Sequence, residues 1–245
     1  MKEITNKDVC VIIPIYKDNK IDKLDDLDIQ SINNTLKTLK NYDIYFLCNE
    51  DLDITYYKKL KSCSQSNIFF KHYNFYNPGQ YSNMCLKNEF YELFNEYEYM
   101  LLCQSDAWVF RDELLYWCNK GYDYIGAPYL SERDEMIEKY LETNYNDIPE
   151  YLHFNGGFSL RNVKTFCDIT KNYEKLIRKC NTAEDVFISR SLNIYLKMPT
   201  IKDAGLFSME QYIFEDVYHK YFSDNVPFGC HSYSTRQYIN TWKDN

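Results

Sequence analysis

Short apolar runs alternate with helical stretches through the first 103 residues of the chain. The apolar runs predict strands at residues 9–15, 42–48, 67–73 and 99–103. Apolar residues at helical spacing predict helices over residues 27–39, 54–61 and 81–97. Strands that alternate with helices favour right-handed crossovers and a mainly parallel sheet with helices on both faces. We therefore expect an α/β fold that binds its ligands at the carboxyl ends of the strands.

Composition and charge narrow the classes of protein that fit this sequence. The 245 residues are 45% hydrophobic and contain no repeat and no linker rich in Pro, Gly or Ser, which favours one domain. The 28 basic and 36 acidic residues give a net charge of −8, which argues against nucleic acid as a partner. Without an export signal or a run of 18 apolar residues, we expect a cytoplasmic protein with no transmembrane segment. Peripheral attachment at the inner face of the membrane stays open.

The nine cysteines are an odd number, and each lies more than ten positions from the next. This spacing disfavours close-paired zinc sites and a disulfide framework, and it favours reduced thiols. Glycine is scarce: the chain has seven, where an ordinary composition of roughly 7% gives about 17. Each glycine that is present is therefore a candidate for a position that only glycine fits.

The turn after the first strand, at Pro14, Ile15, Tyr16 and Lys17, contains no glycine. Dinucleotide-binding folds and phosphate-loop enzymes need glycines at this turn, so both classes are disfavoured. Nucleotidyltransferases that begin with a glycine-rich loop are disfavoured for the same reason.

Polar residues directly follow the fourth strand, where Gln104 and Asp106 flank Ser105. A buried carboxylate is costly unless it is paired or bound to a metal. Asp106 is therefore a candidate ligand for Mg²⁺ or Mn²⁺ that also bridges a diphosphate. The alternative is that Asp106 starts a turn or caps a helix beginning near Arg111.

Three further features of the second half are candidates for chemistry. Gly156 and Gly157 form the only Gly-Gly pair, which allows either close approach to a ligand or a bend into the next strand. Glu184 and Asp185 precede an apolar run that predicts a helix, so they are either helix-capping residues or a general base. His231 follows an apolar run near the end of the sequence and is a metal ligand, a proton carrier or a structural histidine.

Taken in order, these segments resemble a glycosyltransferase of the GT-A fold. They are most similar to a domain family of mostly unknown function with the motifs Gln-x-Asp-Ala-Trp, Asn-Gly-Gly-Phe-Ser-Leu-Arg, Glu-Asp-Val-Phe and Pro-Phe-Gly-x-His. In this chain the motifs begin at residues 104, 155, 184 and 227, and residues 14–16 and 81–83 resemble the family's nucleotide-side segments. The resemblance implies a single GT-A-type, Rossmann-like domain over 1–245, with a nucleotide-binding half at 1–103 and a donor-sugar and acceptor half at 104–245.

The resemblance also implies a metal site. Asp106 would bind a Mn²⁺ or Mg²⁺ ion that holds the diphosphate of a nucleotide-sugar donor such as a UDP-sugar, and His231 would complete the site. Gln104 departs from the pattern of related transferases, because it stands where they carry the first Asp of an Asp-x-Asp motif. An uncharged residue there implies a weaker metal site or a dispensable metal.

The remaining implied roles concern catalysis and binding. Asp185 or Glu184 would deprotonate the acceptor hydroxyl, which gives inversion at the sugar. The other implied positions face the nucleotide or the donor sugar and acceptor: Pro14, Tyr16, Asn49, Asn83, Gly156 and Gly157. Aromatic candidates for stacking on sugars are Trp108, Tyr129 and Tyr233, and residues 131–151 are either an acceptor loop or a surface helix.

The implied reaction moves a sugar to a glycan or lipid-linked acceptor in surface polysaccharide synthesis. Two other interpretations stay open. One is a non-catalytic glycan- or nucleotide-binding protein on a degenerate transferase fold, and the other is a nucleotidyltransferase.

Overall fold

A computed structural model describes residues 3–17, 24–129, 138–143, 153–210, 215–223 and 225–232. The strands are β1 Val9–Ile15, β2 Asp43–Cys48, β3 Asn67–His72, β4 Tyr99–Cys103, β5 Trp108–Val109, β6 Tyr124–Pro128, β7 Phe154–Asn162, β8 Ser208–Met209 and β9 Gly229–Cys230. The α-helices are α1 Asp26–Thr38, α2 Thr55–Cys63, α3 Pro78–Met84, α4 Asn88–Glu92, α5 Leu114–Asn119, α6 Val163–Asn172, α7 Glu174–Ile177, α8 Glu184–Phe187, α9 Ile201–Phe207 and α10 Glu215–Tyr221.

In the described part of the chain, the central sheet has six strands in the order β3-β2-β1-β4-β7-β6. Strands β1 to β4 are mutually parallel, and β7 runs antiparallel to both β4 and β6. Every residue of β1 and β4 is buried, as expected for central strands covered on both faces. The predicted α/β fold with a mainly parallel sheet is confirmed.

The antiparallel strand β7 determines which residues reach the ligand-binding edge of the sheet. The parallel strands β1 and β4 end at this edge, at Ile15 and Cys103. Because β7 runs in the opposite sense, its beginning lies there instead, and Phe158 pairs with Cys103. Gly156 and Gly157 are therefore beside the end of β4, within a strand and not at a bend before one.

The single helix predicted over residues 81–97 is wrong, because the structure has two short helices, α3 and α4, in this region. The chain leaves the helical conformation at Lys87, which has an extended backbone and precedes α4. Met84, Phe90 and Phe94 are all buried in the same core, so the apolar spacing continues across the break. The helix expected near Arg111 begins at Leu114.

A second, three-stranded sheet in the order β5-β9-β8 carries the C-terminal part of the described chain to the edge of the main sheet. Phe158 packs between the two sheets: the centroid of its ring lies 5.3 Å from that of Phe228 and 5.4 Å from that of Phe207. Gly229 is required at this junction, since a Cβ there would lie 2.5 Å from the Phe158 ring.

None of the helices in the described part of the chain is both long and apolar enough to cross a membrane. All nine cysteines lie within the described residues and are free thiols.

Candidate active site

Three predicted site residues meet at the end of β4. Gln104 is held there by a hydrogen bond from its backbone N–H to the Gly157 carbonyl, at 2.9 Å. The Nε2 atom of His231 lies 3.1 Å from Gln104 Oε1 and 3.4 Å from Asp106 Oδ1. The β5-β9-β8 sheet sets this geometry, because the backbone N–H of His231 donates to the Met209 carbonyl at the end of β8. The structure therefore brings together residues that are more than 120 positions apart in the sequence.

Glu210 is a fourth member of this cluster that the sequence reasoning missed. Its Oε2 accepts a hydrogen bond from His231 Nδ1 at 2.9 Å, and the residue is only 3% exposed. The imidazole therefore lies between two carboxylates. Burial lowers the pKa of His231, but hydrogen bonds with Asp106 and Glu210 outweigh this effect and raise the pKa to about 10. The signal in the sequence was a carboxylate directly after the mostly apolar residues 204–209, as Asp106 follows the apolar fourth strand by a few residues.

His231 also acts on Asp106. Burial alone would raise the pKa of the Asp106 carboxyl, but the hydrogen bond and charge of His231 hold it below its ordinary value of 3.8. Lys17 contributes in the same direction through its positive charge. The carboxylate form of Asp106 is therefore the form that this environment favours.

The donor atoms at this cluster fit a divalent cation. Asp106 and Gln104 supply oxygen atoms and His231 supplies a nitrogen, a set suited to Mn²⁺ or Mg²⁺. Because Nδ1 donates to Glu210, Nε2 is the nitrogen that would bind a metal, which would take the place of the Nε2 proton. A His–carboxylate pair is the usual support for a histidine ligand. The described residues contain no cluster of three or more His, Cys, Asp and Glu side chains able to hold a metal by themselves. The set therefore suits an ion whose remaining ligands come from a diphosphate and water.

The Gly-Gly pair lies against both halves of the site. A Cβ on Gly157 would lie 2.2 Å from His231 Nε2 and 2.9 Å from Gln104 Oε1. A Cβ on Gly156 would lie 2.7 Å from Glu184 Oε1 and 3.3 Å from the Cβ of Asp185. At each glycine the shortest of these distances is below the closest approach of a real Cβ atom, so a side chain there would force His231 or Glu184 to move.

Glu184 and Asp185 have different surroundings, although they are adjacent at the start of α8. Glu184 is 5% exposed, accepts a hydrogen bond from the Ser82 hydroxyl at 2.6 Å and lies 3.6 Å from the Arg161 guanidinium. Asp185 is more exposed and accepts hydrogen bonds from the backbone N–H groups of Gly156, at 3.3 Å, and Val186, at 2.7 Å.

Burial raises the pKa of both carboxyl groups. For Glu184 the charge of Asp185 adds to this effect, and Arg161 and Ser82 oppose it. For Asp185 the two backbone hydrogen bonds oppose burial, followed by the charges of Arg161 and His231.

A cavity of about 320 Å³ leads from the end of β1 to Asp106. Its walls are formed by Pro14, Tyr16, Phe75, Tyr76, Asn77, Pro78, Tyr81, Gln104, Ser105 and Asp106. Four of the predicted positions, Pro14, Tyr16, Gln104 and Asp106, line this cavity. Tyr16 and Tyr76 are more than half exposed, at 52% and 57%, and so present much of their rings to solvent.

Two predicted nucleotide-side residues are not among those that line the cavity. Asn49 is buried behind it, where its side-chain oxygen accepts a hydrogen bond from the Phe75 backbone at 2.6 Å and so positions the aromatic wall. Asn83 is exposed on α3, and Tyr81 of the same helix lines the cavity instead. Tyr81 belongs to the segment 81–83 that the sequence reasoning placed on the nucleotide side, but Phe75 and Tyr76 of the same wall were missed. Their signal was the Asn77-Pro78 helix start between the aromatic residues.

The aromatic residues proposed to stack on sugars are distributed as follows. Trp108 lies in β5, and Tyr129 stacks on His153 with ring centroids 4.7 Å apart. Tyr233 lies outside the described residues, as does the segment predicted as an acceptor loop or surface helix apart from residues 138–143.

Comparison with solved structures defines the class of fold. Core-mannan synthase A from Aspergillus fumigatus, in its Mn/GDP form, matches with a TM-score of 0.53 and 12% identity over 80% of this chain and 73% of that protein. Mouse xyloside xylosyltransferase 1 matches with a TM-score of 0.52 and 11% identity over 91% and 96% of the two chains. The glycosyltransferase GlyE from Streptococcus pneumoniae TIGR4 matches with a TM-score of 0.54 and 13% identity over 93% and 55%. The fold is therefore that of GT-A-like glycosyltransferases.

The sequence itself places the chain in a family. Residues 64–231 match the family described as a protein of unknown function, DUF5672, and the chain belongs to it. The match ends at His231 and includes the four motifs that contain Gln104, Gly156, Asp185 and His231. No curated protein matches this chain.

Proposed function

We propose that this protein is an inverting glycosyltransferase that moves a sugar from a nucleotide-sugar donor to a glycan or lipid-linked acceptor. The observation that supports this most is the single surface formed by the aromatic cavity, the Asp106–His231 pair and Asp185. The Gly156-Gly157 backbone lies between the last two. A binding cavity, a site for phosphate charge and a carboxylate base are the parts that this reaction needs.

In this proposal the nucleotide occupies the cavity. Its base lies near Tyr16 and Tyr76, whose exposed rings offer faces for stacking, and its ribose lies near Pro14. The diphosphate then lies at the other end, beside Ser105 and Asp106. Residues 1–103 provide most of the nucleotide site and residues 104–245 the donor-sugar and acceptor site, as one domain.

Asp106 and His231 would hold the divalent ion, with the Gln104 carbonyl as a neutral ligand and Glu210 fixing the imidazole. When bound, the ion supplies positive charge that stabilises the departing nucleotide diphosphate. The chain's own residues fix the ligands of the ion. Glu210 orients His231, and the lack of a side chain at Gly157 leaves space for His231 and Gln104. Manganese in core-mannan synthase A, which was solved in a Mn/GDP form, supports the choice of a divalent ion.

We assign the general base to Asp185 and not to Glu184. Asp185 is the more exposed of the two, and its two backbone hydrogen bonds fix its orientation while leaving lone pairs for an acceptor hydroxyl. Removal of the hydroxyl proton lets the acceptor oxygen attack the anomeric carbon as the diphosphate departs. Glu184 is engaged by Ser82 and faces Arg161, so its role is in holding the site together.

Gln104 favours one alternative, a non-catalytic nucleotide- or glycan-binding protein, because it weakens the charge available for a metal. Nucleotide binding separates the proposed transferase, or a non-catalytic nucleotide-binding protein, from a glycan-binding protein that binds no nucleotide. The thermal midpoint of the purified chain is measured with UDP, GDP and CDP, each with and without Mn²⁺. The proposed function predicts that at least one nucleotide raises the midpoint, and more strongly with Mn²⁺. No shift with any of them would contradict a nucleotide site in this cavity.

A further inference from the structure

A buried polar cluster lies behind Asp185, and none of its residues lines the cavity that leads to Asp106. It consists of Glu184, Ser82 and Arg161, which come from α8, α3 and β7. Glu184 and Arg161 have side chains that are 6% and 0% exposed. Burying charged groups this deeply costs folding free energy unless they are paired. The arrangement of this cluster therefore calls for a structural or functional explanation.

Ser82 makes two hydrogen bonds to one residue. Its hydroxyl donates to Glu184 Oε2 at 2.6 Å and accepts from the Glu184 backbone N–H at 3.2 Å. Helix α8 has only four residues, and Ala183 at its start has no side-chain cap. The first N–H groups of a helix need partners from outside it. Ser82 therefore serves as the cap of α8, although it lies 102 positions away.

Arg161 is the buried cation that faces Glu184. Its guanidinium is fixed by hydrogen bonds to the Tyr91 hydroxyl at 2.9 Å and to Ser159 Oγ at 3.2 Å, and it lies over the rings of Tyr124 and Phe166. Among the residues that the structure describes, the Nη2 atom has no hydrogen-bond partner, and it lies 3.6 Å from Glu184 Oε1. The charge on Arg161 is therefore balanced by Glu184, not by solvent.

Gly156 connects this cluster to the candidate base. A Cβ at Gly156 would lie 2.7 Å from Glu184 Oε1 and 3.1 Å from Arg161 Nη2, and the Gly156 N–H donates to Asp185 Oδ2. The same stretch of backbone thus touches the Glu184–Arg161 pair and holds Asp185. A change in the position of Glu184 has to move either Gly156 or the start of α8.

We infer that Ser82 and Arg161 are positioning residues, which hold Glu184 and thereby fix the start of α8 that carries Asp185. Ser82 also follows Tyr81, whose side chain lines the nucleotide cavity. Helix α3 therefore presents one residue to the cavity and the next to the carboxylate behind the base.

The assignment of a catalytic role to this cluster rests on the proposed function, so its test has one arm that needs no activity. Hydrogen–deuterium exchange is followed in the peptide that covers residues 183–188, in the intact chain and in the variants Ser82→Ala, Ser82→Thr and Ser62→Ala. Ser62 is an exposed helical serine on α2 and provides the matched control. We expect at least tenfold faster exchange in Ser82→Ala only, because Ser82→Thr keeps the hydroxyl. Unchanged exchange in Ser82→Ala, or faster exchange throughout the chain, would overturn the inference.

The second arm measures turnover. Ser82→Ala and Arg161→Lys are each expected to lower kcat by about tenfold or more while the KM for the donor changes less than twofold, and Ser82→Thr should retain most of the activity. If the wild-type chain has no transferase activity, the proposed function is contradicted, but the positioning role is not, because the exchange measurement does not depend on activity. An active wild type with an equally active Ser82→Ala would contradict the positioning role alone. If Arg161→Lys does not fold, Ser82→Ala still decides between these outcomes.

Discussion

Gly157 lies so close to His231 that a Cβ at this glycine would come within 2.2 Å of the histidine Nε2. The contact joins β7 of the main sheet to the residue after β9 of the second sheet. In this arrangement Nε2 of His231 faces Asp106 and Gln104, while Nδ1 is hydrogen-bonded to Glu210. The proposed metal site therefore depends on a position without a side chain as much as on the ligands.

This contact predicts the effect of Gly157→Ala. The added methyl group displaces His231 from Asp106, so the variant should lose the Mn²⁺-dependent part of any thermal stabilisation by a nucleoside diphosphate. Gly79→Ala is the matched control, because its nearest contact would be an ordinary 3.4 Å to Asn77 Oδ1. Retention of the full Mn²⁺ effect in Gly157→Ala would show that His231 does not take part in metal binding.

Asp106→Asn tests the same site through charge. The substitution keeps the shape of the side chain but removes the anionic ligand, so we expect turnover to fall by about 10²-fold or more, in line with the loss of a main electrostatic contribution. Asp168→Asn, on the exposed surface of α6, is the control for loss of a negative charge. Turnover and Mn²⁺ dependence that stay at wild-type levels in Asp106→Asn would contradict the metal assignment but not the class of enzyme.

The pH dependence of turnover reports on Asp185. Burial raises the pKa of this carboxyl, against the hydrogen bonds from Val186 and Gly156 and the charge of Arg161. A general base must be ionised, so kcat/KM should fall on the acid side at a pH above 3.8, the ordinary value for Asp. Asp185→Asn should lose about 10²- to 10⁴-fold in kcat, the usual contribution of a general base. A similar loss in Glu184→Gln with activity retained in Asp185→Asn would reverse the assignment of the base.

Stability should change in the opposite direction to activity at Asp185. Because the pKa of its carboxyl is raised in the folded chain, ionisation is less favourable there than in the unfolded chain. The ionised carboxylate therefore costs stability at pH values above its folded-state pKa, and this cost disappears as the pH falls below 3.8. Asp185→Asn should have a free energy of unfolding at pH 7 that equals or exceeds that of the wild type. Urea unfolding at pH 7 measures this, and a clear loss of stability in the variant would show that the charge is needed for folding.

The architecture could be predicted largely from sequence because its strands are strongly apolar. Every residue of β1 and β4 is buried, so their hydrophobic runs are unbroken and end where the polar site residues begin. The break between α3 and α4 was not visible, since both helices bury apolar residues in one core. Helical spacing of apolar residues indicates which side chains are buried, but it does not indicate where the backbone leaves the helical conformation.

The site could be predicted in part for a related reason. Gln104 and Asp106 follow β4 directly, so the end of a strand identified them. Glu210 and Ser82 contact residues that lie 21 and 102 positions away in the sequence. A single sequence does not show which of its distant residues are close in space. The same limit explains Asn83, which shares a helix with a cavity residue but lies on its exposed side.

The central claim is transfer of a sugar from a nucleotide donor, and release of nucleoside diphosphate tests it most directly. The purified chain is incubated with Mn²⁺ and each of a panel of UDP-, GDP- and CDP-sugars, with and without simple glycan acceptors, and the released diphosphate is measured. We predict release from at least one donor, which an acceptor increases and which Asp106→Asn and Asp185→Asn each abolish while Asp168→Asn does not. Release that is equal in the wild type and both site variants, or no release from any donor that the chain is shown to bind, would contradict the proposal.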